Sequence, residues 1–202
     1  MKLVILDRDG TINYERDDYV KSPEEWVPLP GSIDAIARLN QAGWHVVVAT
    51  NQSGIGRGLF DMSALNAMHA KMQQLLARQG GRVDAVFFCP HAPEDHCTCR
   101  KPQPGLFKMI GDRFGKDLHG VPMVGDLPRD VLAAQSVGCE PHLVRTGHAA
   151  NMSEAELQEL RRQVPGLTIH PDLSAFADLL ILREQSTQED NAPVHTHQGV
   201  LS

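Results

Sequence analysis

Four short apolar runs in this chain each stop at a polar cluster, and helix-patterned segments separate them. Lys2–Leu6 ends in Asp7-Arg8-Asp9-Gly10-Thr11, Trp44–Ala49 in Thr50-Asn51-Gln52-Ser53-Gly54, Val83–Phe88 in a loop rich in Cys and His, and Val121–Val124 in Gly125-Asp126. Unbroken apolar runs of this length predict buried strands. Ser32 is placed to cap a helix with Ile33, Ile36 and Leu39 on one face and Gly43 at its end. Ser63 opens another helix, faced by Leu65, Met68, Met72 and Leu75, that stops at Gly80-Gly81. Leu106, Ile110 and Phe114 mark a third, beginning near Pro104. A helix from about Arg129 to Ser136, a strand near Pro141–Val144, a helix opened by a Ser153/Glu156 capping box and a final helix over Asp172–Arg183 complete the pattern. Strands alternating with helices predict an α/β fold around a doubly wound parallel sheet. Ligands bind such sheets outside the carboxyl ends of the strands. The polar clusters lie at those ends: Asp7/Asp9, Thr50, Arg100/Lys101 and Asp126.

The 202 residues suit one domain, taken as residues 1–183. From Glu184 the chain turns polar and loses its periodicity, so residues 184–202 are expected to form a flexible tail. A net charge of −6 argues against coating nucleic acid or an anionic membrane. No apolar run is long enough to span a bilayer, and the first one stops at Asp7, too soon for a secretory signal. The cytoplasm is therefore the expected location, and the absence of an apolar surface stripe favours a monomer. Residues 13–31, with five acidic residues and three prolines, read as a loop or flap. That stretch is too short to build a large cap over a site.

Asp7 and Asp9 stand two apart at a strand end, where both can face one site. Neighbouring carboxylates repel, and a cation such as Mg²⁺ can hold both ionised. One can then attack phosphorus while the other exchanges protons with the leaving group. A second constellation is Cys89-Pro90-His91 with Cys97-Thr98-Cys99. Cys89, His91, Cys97 and Cys99 match the Cys₃His set of a closed tetrahedral Zn²⁺ site, which leaves no position open for water and so implies a structural role. Its position implies that it stiffens the loop carrying Arg100 and Lys101.

Asp-Arg-Asp-Gly-Thr after the first strand resembles the first motif of the haloacid dehalogenase-like phosphatases. The others follow in order: Thr50 closing Val-Val-Val-Ala-Thr-Asn, Lys101 in Arg-Lys-Pro before a helix, and Gly125-Asp126 with Asp130 four residues on. The resemblance implies a Rossmann-like sheet with a minimal cap. It implies that Asp7 is the nucleophile forming an aspartyl-phosphate, and that Asp9 protonates the leaving oxygen and later activates water. Thr50, with the Asn51 N–H, would bind phosphoryl oxygens, and Lys101 would neutralise Asp7 and phosphate. Mg²⁺ would sit on Asp7, Asp126 and the backbone carbonyl of Asp9. Asp130 either reaches the metal through water or caps the following helix.

The zinc loop is similar to a narrower branch that contains histidinol-phosphatases and heptose bisphosphate 7-phosphatases. Thr50–Gly58 and Pro104–Phe107 look like the heptose enzymes, whereas the His91-to-Cys97 spacing is like the histidinol enzymes. The resemblance therefore implies removal of the 7-phosphate from a heptose 1,7-bisphosphate, with histidinol phosphate as the competing substrate. A catalytically silent phospho-ligand binding module is the rival of another class, and removal of a nucleic-acid end phosphate a further one. A bisphosphate needs a second anion site, for which Arg57, Arg16 and Arg100 are available; Arg100 is preferred because the zinc loop would hold it. Glu15 and Tyr19 of the flap are placed to meet sugar hydroxyls, and Gln52 and Ser53 complete the substrate-binding set. Cys139 reads as a buried small hydrophobe, and His142, His148 and His170 read as loop or strand-edge residues without partners.

Overall fold

The computed structural model describes residues 1–190. Six parallel strands, β1 (Lys2–Leu6), β2 (Trp44–Asn51), β3 (Ala85–Cys89), β4 (Pro122–Gly125), β5 (Glu140–Val144) and β6 (Thr168–His170), form one sheet. Their order is β3-β2-β1-β4-β5-β6. Side chains alternate across β1 and β2. Val4, Leu6, Val46 and Val48 enter one core, and Leu3, Ile5, Val47 and Ala49 enter the other. The unbroken apolar runs follow from this, because both faces of each central strand are covered.

Helices α1 (Ser32–Gln41), α3 (Met62–Ala77) and α7 (Leu173–Asp190) cover the first core. Helices α4 (Gly105–Phe114) and α5 (Pro128–Ser136) cover the second, and α5 shares a third cluster with α6 (Glu154–Gln163). A single turn, α2 (Ser53–Gly56), follows β2 directly. Strand order reverses between β1 and β4, so the crevice of such a sheet opens at the ends carrying Asp7 and Asp126.

Several details differ from the expectation. Gly31, at φ 74°, precedes α1, and the Ser32 hydroxyl instead donates to the Ile12 and Leu29 carbonyls at 2.7 and 2.9 Å. Asp61 caps α3 by accepting from the Ala64 N–H at 2.9 Å, so Ser63 lies inside the helix. The Ser153/Glu156 capping box is present. Strand β6, three residues long, has too few positions to show a period. Helix α7 runs to Asp190, so residues 184–190 of the expected tail are helical, and residues 191–202 lie outside the described residues. The flap is anchored from below. Trp26 is fully buried, and Lys71 of α3 donates to the Pro23 and Trp26 carbonyls, each at 2.7 Å. No described helix is long and apolar enough to cross a membrane.

Candidate active site

The Asp7 N–H donates to the Val124 carbonyl at 2.9 Å, which sets the end of β1 beside the end of β4. Gly10, at φ 76°, then turns the chain so tightly that a Cβ on it would lie 2.2 Å from Asp126 Oδ2. Only glycine fits there, because the backbone approaches a carboxylate in a left-handed conformation. Asp7, Asp126 and Asp130 each bring a carboxylate oxygen within 4.8 Å of the others, and all three are buried. Burial, with Asp130 as the next contributor, raises the Asp7 carboxyl to about 6. Burial and the charges of Asp130 and Asp7 raise Asp126 to about 9.

One cation is already in place. Lys101, 1% exposed, sets its Nζ 2.9 Å from Asp7 Oδ1, 2.7 Å from Asp130 Oδ1 and 2.8 Å from the Ala49 carbonyl. Asp126 has no such counter-charge. Its Oδ2 accepts from the His148 N–H at 2.8 Å, while its Oδ1 is buried without a partner. Three crowded carboxylates, one ammonium and an orphaned carboxylate oxygen suit a hard divalent cation with oxygen ligands, so the donor set fits Mg²⁺. Asp130 has two duties. Its Oδ2 accepts from the Leu127 N–H at 3.0 Å, holding the first turn of α5, while Oδ1 meets Lys101.

The carboxylate of Asp9 lies outside this cluster, and the metal ligand that the resemblance implies for Asp9 is its backbone carbonyl. Its carboxylate accepts from Arg8 at 2.9–3.2 Å, from Asn13 Nδ2 at 2.8 Å and from Gln52 Nε2 at 2.8 Å. Burial alone would raise its pKa, but the Arg8 charge and these bonds together lower it. Arg8 is fully buried, and its Nη1 lies 3.2 Å from His69 Nε2. An arginine cannot accept, so His69 accepts with a neutral ring. Burial, then the Arg8 charge, keeps it so by lowering His69 to about 4.

Thr50, 1% exposed, lines the cavity with its Oγ1 accepting from Gln52 Nε2 at 2.9 Å. Asn51 spends its amide on the backbone of Lys101: Nδ2 donates to the Lys101 carbonyl at 3.1 Å and Oδ1 accepts from its N–H at 3.0 Å. This reciprocal pair ties the zinc-type loop to the end of β2. Cys89, His91, Cys97 and Cys99 offer ligand atoms within 4.8 Å of one another, with Sγ–Sγ separations of 3.0–3.6 Å. Burial pushes the Cys89 and Cys99 thiols up. At Cys97, N–H donors from Arg100 and Cys99 overcome burial and lower the thiol to about 6.

A cavity of about 300 Å³ opens over Asp7. Of the predicted residues, Asp9, Glu15, Arg16, Tyr19, Thr50, Asn51, Gln52, Ser53 and Arg100 line it. Arg57 does not; it is exposed and paired with Glu94 at 3.2 Å. Arg16 lines the rim, but Asp18 holds its guanidinium at 2.9 and 3.2 Å. Asp17, Arg129 and His148 also line the cavity and were not read from the sequence. His148 Nε2 lies 2.8 Å from Glu15 Oε2, joining the loop after β5 to the flap. The expectation of partnerless histidines fails there and again in the interior, where His142 Nδ1 and His170 Nε2 are 3.0 Å apart beneath Phe176. These contacts span long sequence separations, so no local pattern announces them.

A doubly wound parallel sheet with a buried Asp–Lys–Asp cluster at its switch point, facing an open polar cavity lined by both carboxylates and guanidiniums, defines the phosphatase class of hydrolases. The comparisons agree. A family model described as polynucleotide kinase 3 phosphatase matches residues 2–127, and one described as HAD-hydrolase-like matches residues 98–175. The D-glycero-β-D-manno-heptose-1,7-bisphosphate 7-phosphatase of Bordetella bronchiseptica is 53% identical over 90% of this chain and 98% of its own length. That of Pseudomonas aeruginosa is 51% identical over 89% and 97%. The solved structure of the D,D-heptose 1,7-bisphosphate phosphatase from B. bronchiseptica, complexed with magnesium and phosphate, superposes with a TM-score of 0.85 at 53% identity. It covers 91% of this chain and 99% of that one. The chain belongs to the haloacid dehalogenase-like phosphatases, in the family of the D-glycero-β-D-manno-heptose-1,7-bisphosphate 7-phosphatases.

Proposed function

We propose that the protein hydrolyses the 7-phosphate of D-glycero-D-manno-heptose 1,7-bisphosphate through an aspartyl-phosphate on Asp7. It would serve, as a cytoplasmic monomer, the making of activated heptose for lipopolysaccharide cores. The observation that carries the chemistry is Lys101 bridging Asp7 and Asp130, with the unpartnered Oδ1 of Asp126 beside them. Mg²⁺ held by Asp7, Asp126 and Asp130, with the Asp9 carbonyl, would neutralise phosphoryl charge and keep Asp7 ionised.

An Asp7 carboxylate oxygen attacks phosphorus as the bond to the sugar oxygen breaks, and Asp9 gives that oxygen its proton. Water then attacks the same phosphorus, Asp9 takes the water's proton, and the Asp7–phosphorus bond breaks to release inorganic phosphate. The Arg8, Asn13 and Gln52 bonds favour ionised Asp9, the form required in the second step. An entering phosphate dianion works the other way and favours the protonated form required in the first. Thr50 and the Asn51 N–H orient the phosphoryl oxygens, and Lys101 offsets the charge they share with Asp7. Zn²⁺ on Cys89, His91, Cys97 and Cys99 would fix the loop through which Asn51 grips Lys101.

The substrate assignment rests on similarity to the named relatives, and the site agrees with it. The cavity is open and its lining includes Arg16, Arg100 and Arg129, with no large cap between β1 and α1, so a sugar phosphate can enter. The test is phosphate release with Mg²⁺, comparing the heptose bisphosphate with histidinol phosphate and a 3′-phosphorylated oligonucleotide. Asp7→Asn is the control. Preference for the bisphosphate, abolished in the variant, is expected. Preference for either alternative overturns the substrate, and turnover surviving in Asp7→Asn overturns the mechanism.

A further inference from the structure

A fully buried arginine stands beside Asp9 without lining the cavity over Asp7. Arg8 turns one side of its guanidinium to Asp9: Nε and Nη2 donate to Oδ1 at 3.2 and 2.9 Å, and Nη2 reaches Oδ2 at 3.1 Å. Among the described residues, Asp9 is the only carboxylate that pairs with it. The remaining nitrogen, Nη1, donates to His69 Nε2 at 3.2 Å. His69 belongs to α3, 61 residues further along the chain, and it does not line the cavity either.

A guanidinium out of water needs acceptors for its N–H groups, and the placing of those acceptors decides how the fork is turned. A carboxylate at position 69 would compete with Asp9 for the charge. An imidazole accepting through Nε2 takes up Nη1 and leaves the ion pair with Asp9 undivided. Helix α3 is rooted in the first core by Leu65, Met68 and Met72, so His69 ties the guanidinium to a rigid element. Two amides complete the clamp. Asn13 Nδ2 donates to Asp9 Oδ1 at 2.8 Å. Gln52 Nε2 donates to Oδ2 at 2.8 Å, while its Oε1 accepts from Arg8 Nη2 at 3.3 Å. Both oxygens of Asp9 are thereby fixed, and the outermost support of the arrangement is a histidine with no contact to the reacting groups.

We propose that His69 is a positioning residue: through Arg8 it holds the Asp9 carboxylate in the orientation from which a proton passes to the leaving oxygen and is later taken from water. This rests on the acid/base role of Asp9 in the reading above. His69 itself neither gives nor takes a proton in the cycle. Proton transfer by a side chain depends on reach and alignment, so a guanidinium free to tilt lowers turnover without weakening the binding of substrate. The grip on the phosphoryl group, through Thr50, Lys101 and Mg²⁺, does not pass through His69.

The experiment compares His69→Leu, which offers no acceptor, His69→Gln, which keeps a neutral one, and His69→Glu, which brings a competing charge. For each Mg²⁺-loaded enzyme, kcat and KM are measured on the substrate the wild type prefers, together with Mg²⁺ half-saturation and thermal melting. His69→Leu is expected to lower kcat by about 10- to 100-fold, the range for a misaligned catalytic group, with KM and Mg²⁺ half-saturation changed by under about threefold. His69→Glu should lose at least as much, and His69→Gln should keep kcat within about threefold of wild type. A leucine variant with wild-type kcat, a glutamine variant as impaired as the leucine one, or a loss that appears in KM overturns the proposal. If the leucine variant does not fold, the other two decide alone, and equal kcat in His69→Gln and His69→Glu overturns it. Asp9→Asn is the control for the underlying reading, with an expected loss of about 10²–10⁴-fold in kcat. A wild type with no turnover, or an Asp9→Asn variant that keeps it, overturns that reading and this inference with it.

Discussion

Replacing Gly10 with alanine tests the packing on which the metal site depends. The backbone there has φ 76°, and an added Cβ would stand 2.2 Å from Asp126 Oδ2 and 2.5 Å from its Cγ. Asp126 cannot yield toward the loop after β5, because a Cβ on Gly147 would itself lie 2.1 Å from the same oxygen. The left-handed backbone alone costs alanine about 1–2 kcal/mol. For a chain of this length that is roughly 2–8 °C in Tm without metal. The larger effect is on Mg²⁺, because the only carboxylate of the three without a cationic partner is pushed from its place. At 100 times Kd a bound ion stabilises the wild type by about 2.7 kcal/mol, and the variant should lose most of that increment. Melting curves with and without Mg²⁺, together with the Mg²⁺ dependence of phosphate release, measure both parts. Half-saturation should rise at least about tenfold, on the reasoning that each tenfold is 1.4 kcal/mol. A Gly10→Ala variant that melts lower but binds Mg²⁺ as wild type would refute the assignment of Asp126 and leave only a turn effect.

Other perturbations follow from the same geometry. Lys101→Met removes the sole ammonium between Asp7 and Asp130. Leaving buried carboxylates unpaired should cost about 3–5 kcal/mol by urea unfolding and abolish measurable turnover, and a stable, active variant would contradict the bridging role. His69 and His170 both have folded pKa values lowered to about 4 from 6.5, burial being the main cause. The unfolded chain therefore binds their protons first, and stability should fall as pH drops from 6.5 toward 4. His170→Phe should flatten that slope, so an unchanged pH dependence would show that the His142–His170 pair is not its source. Stripping Zn²⁺ with a chelator should lower activity by loosening Arg100 and Lys101; active protein that contains no zinc by elemental analysis would sink that expectation.

Much of the site was legible because its chemistry is local. A strand that ends in Asp-x-Asp, a strand that ends in Thr-Asn-Gln, and paired Cys-x-His and Cys-x-Cys segments announce both the fold class and the groups it carries. The doubly wound sheet then follows, since only parallel strands covered on both faces tolerate such unbroken apolar runs. Local spacing also places Asp7, Thr50, Lys101 and Asp126 at one edge of the sheet without reference to any contact.

Tertiary structure decided what each group does with its neighbours. Asp130 could cap a helix or join the site, and it does both because Lys101 arrives from a loop elsewhere in the chain. Asp9 pairs with Asp7 on spacing, yet its carboxylate turns to Arg8, Asn13 and Gln52, where their donors outcompete a crowded metal cluster. Arg57 and Arg129 are both cations near the site in sequence terms, and only packing leaves the first neutralised by Glu94 and the second facing the cavity without a carboxylate. The physical reason is common to all of them. Backbone periodicity sets which face a residue occupies, whereas ion pairs and metal cages depend on which distant segments the sheet order brings within a few ångströms.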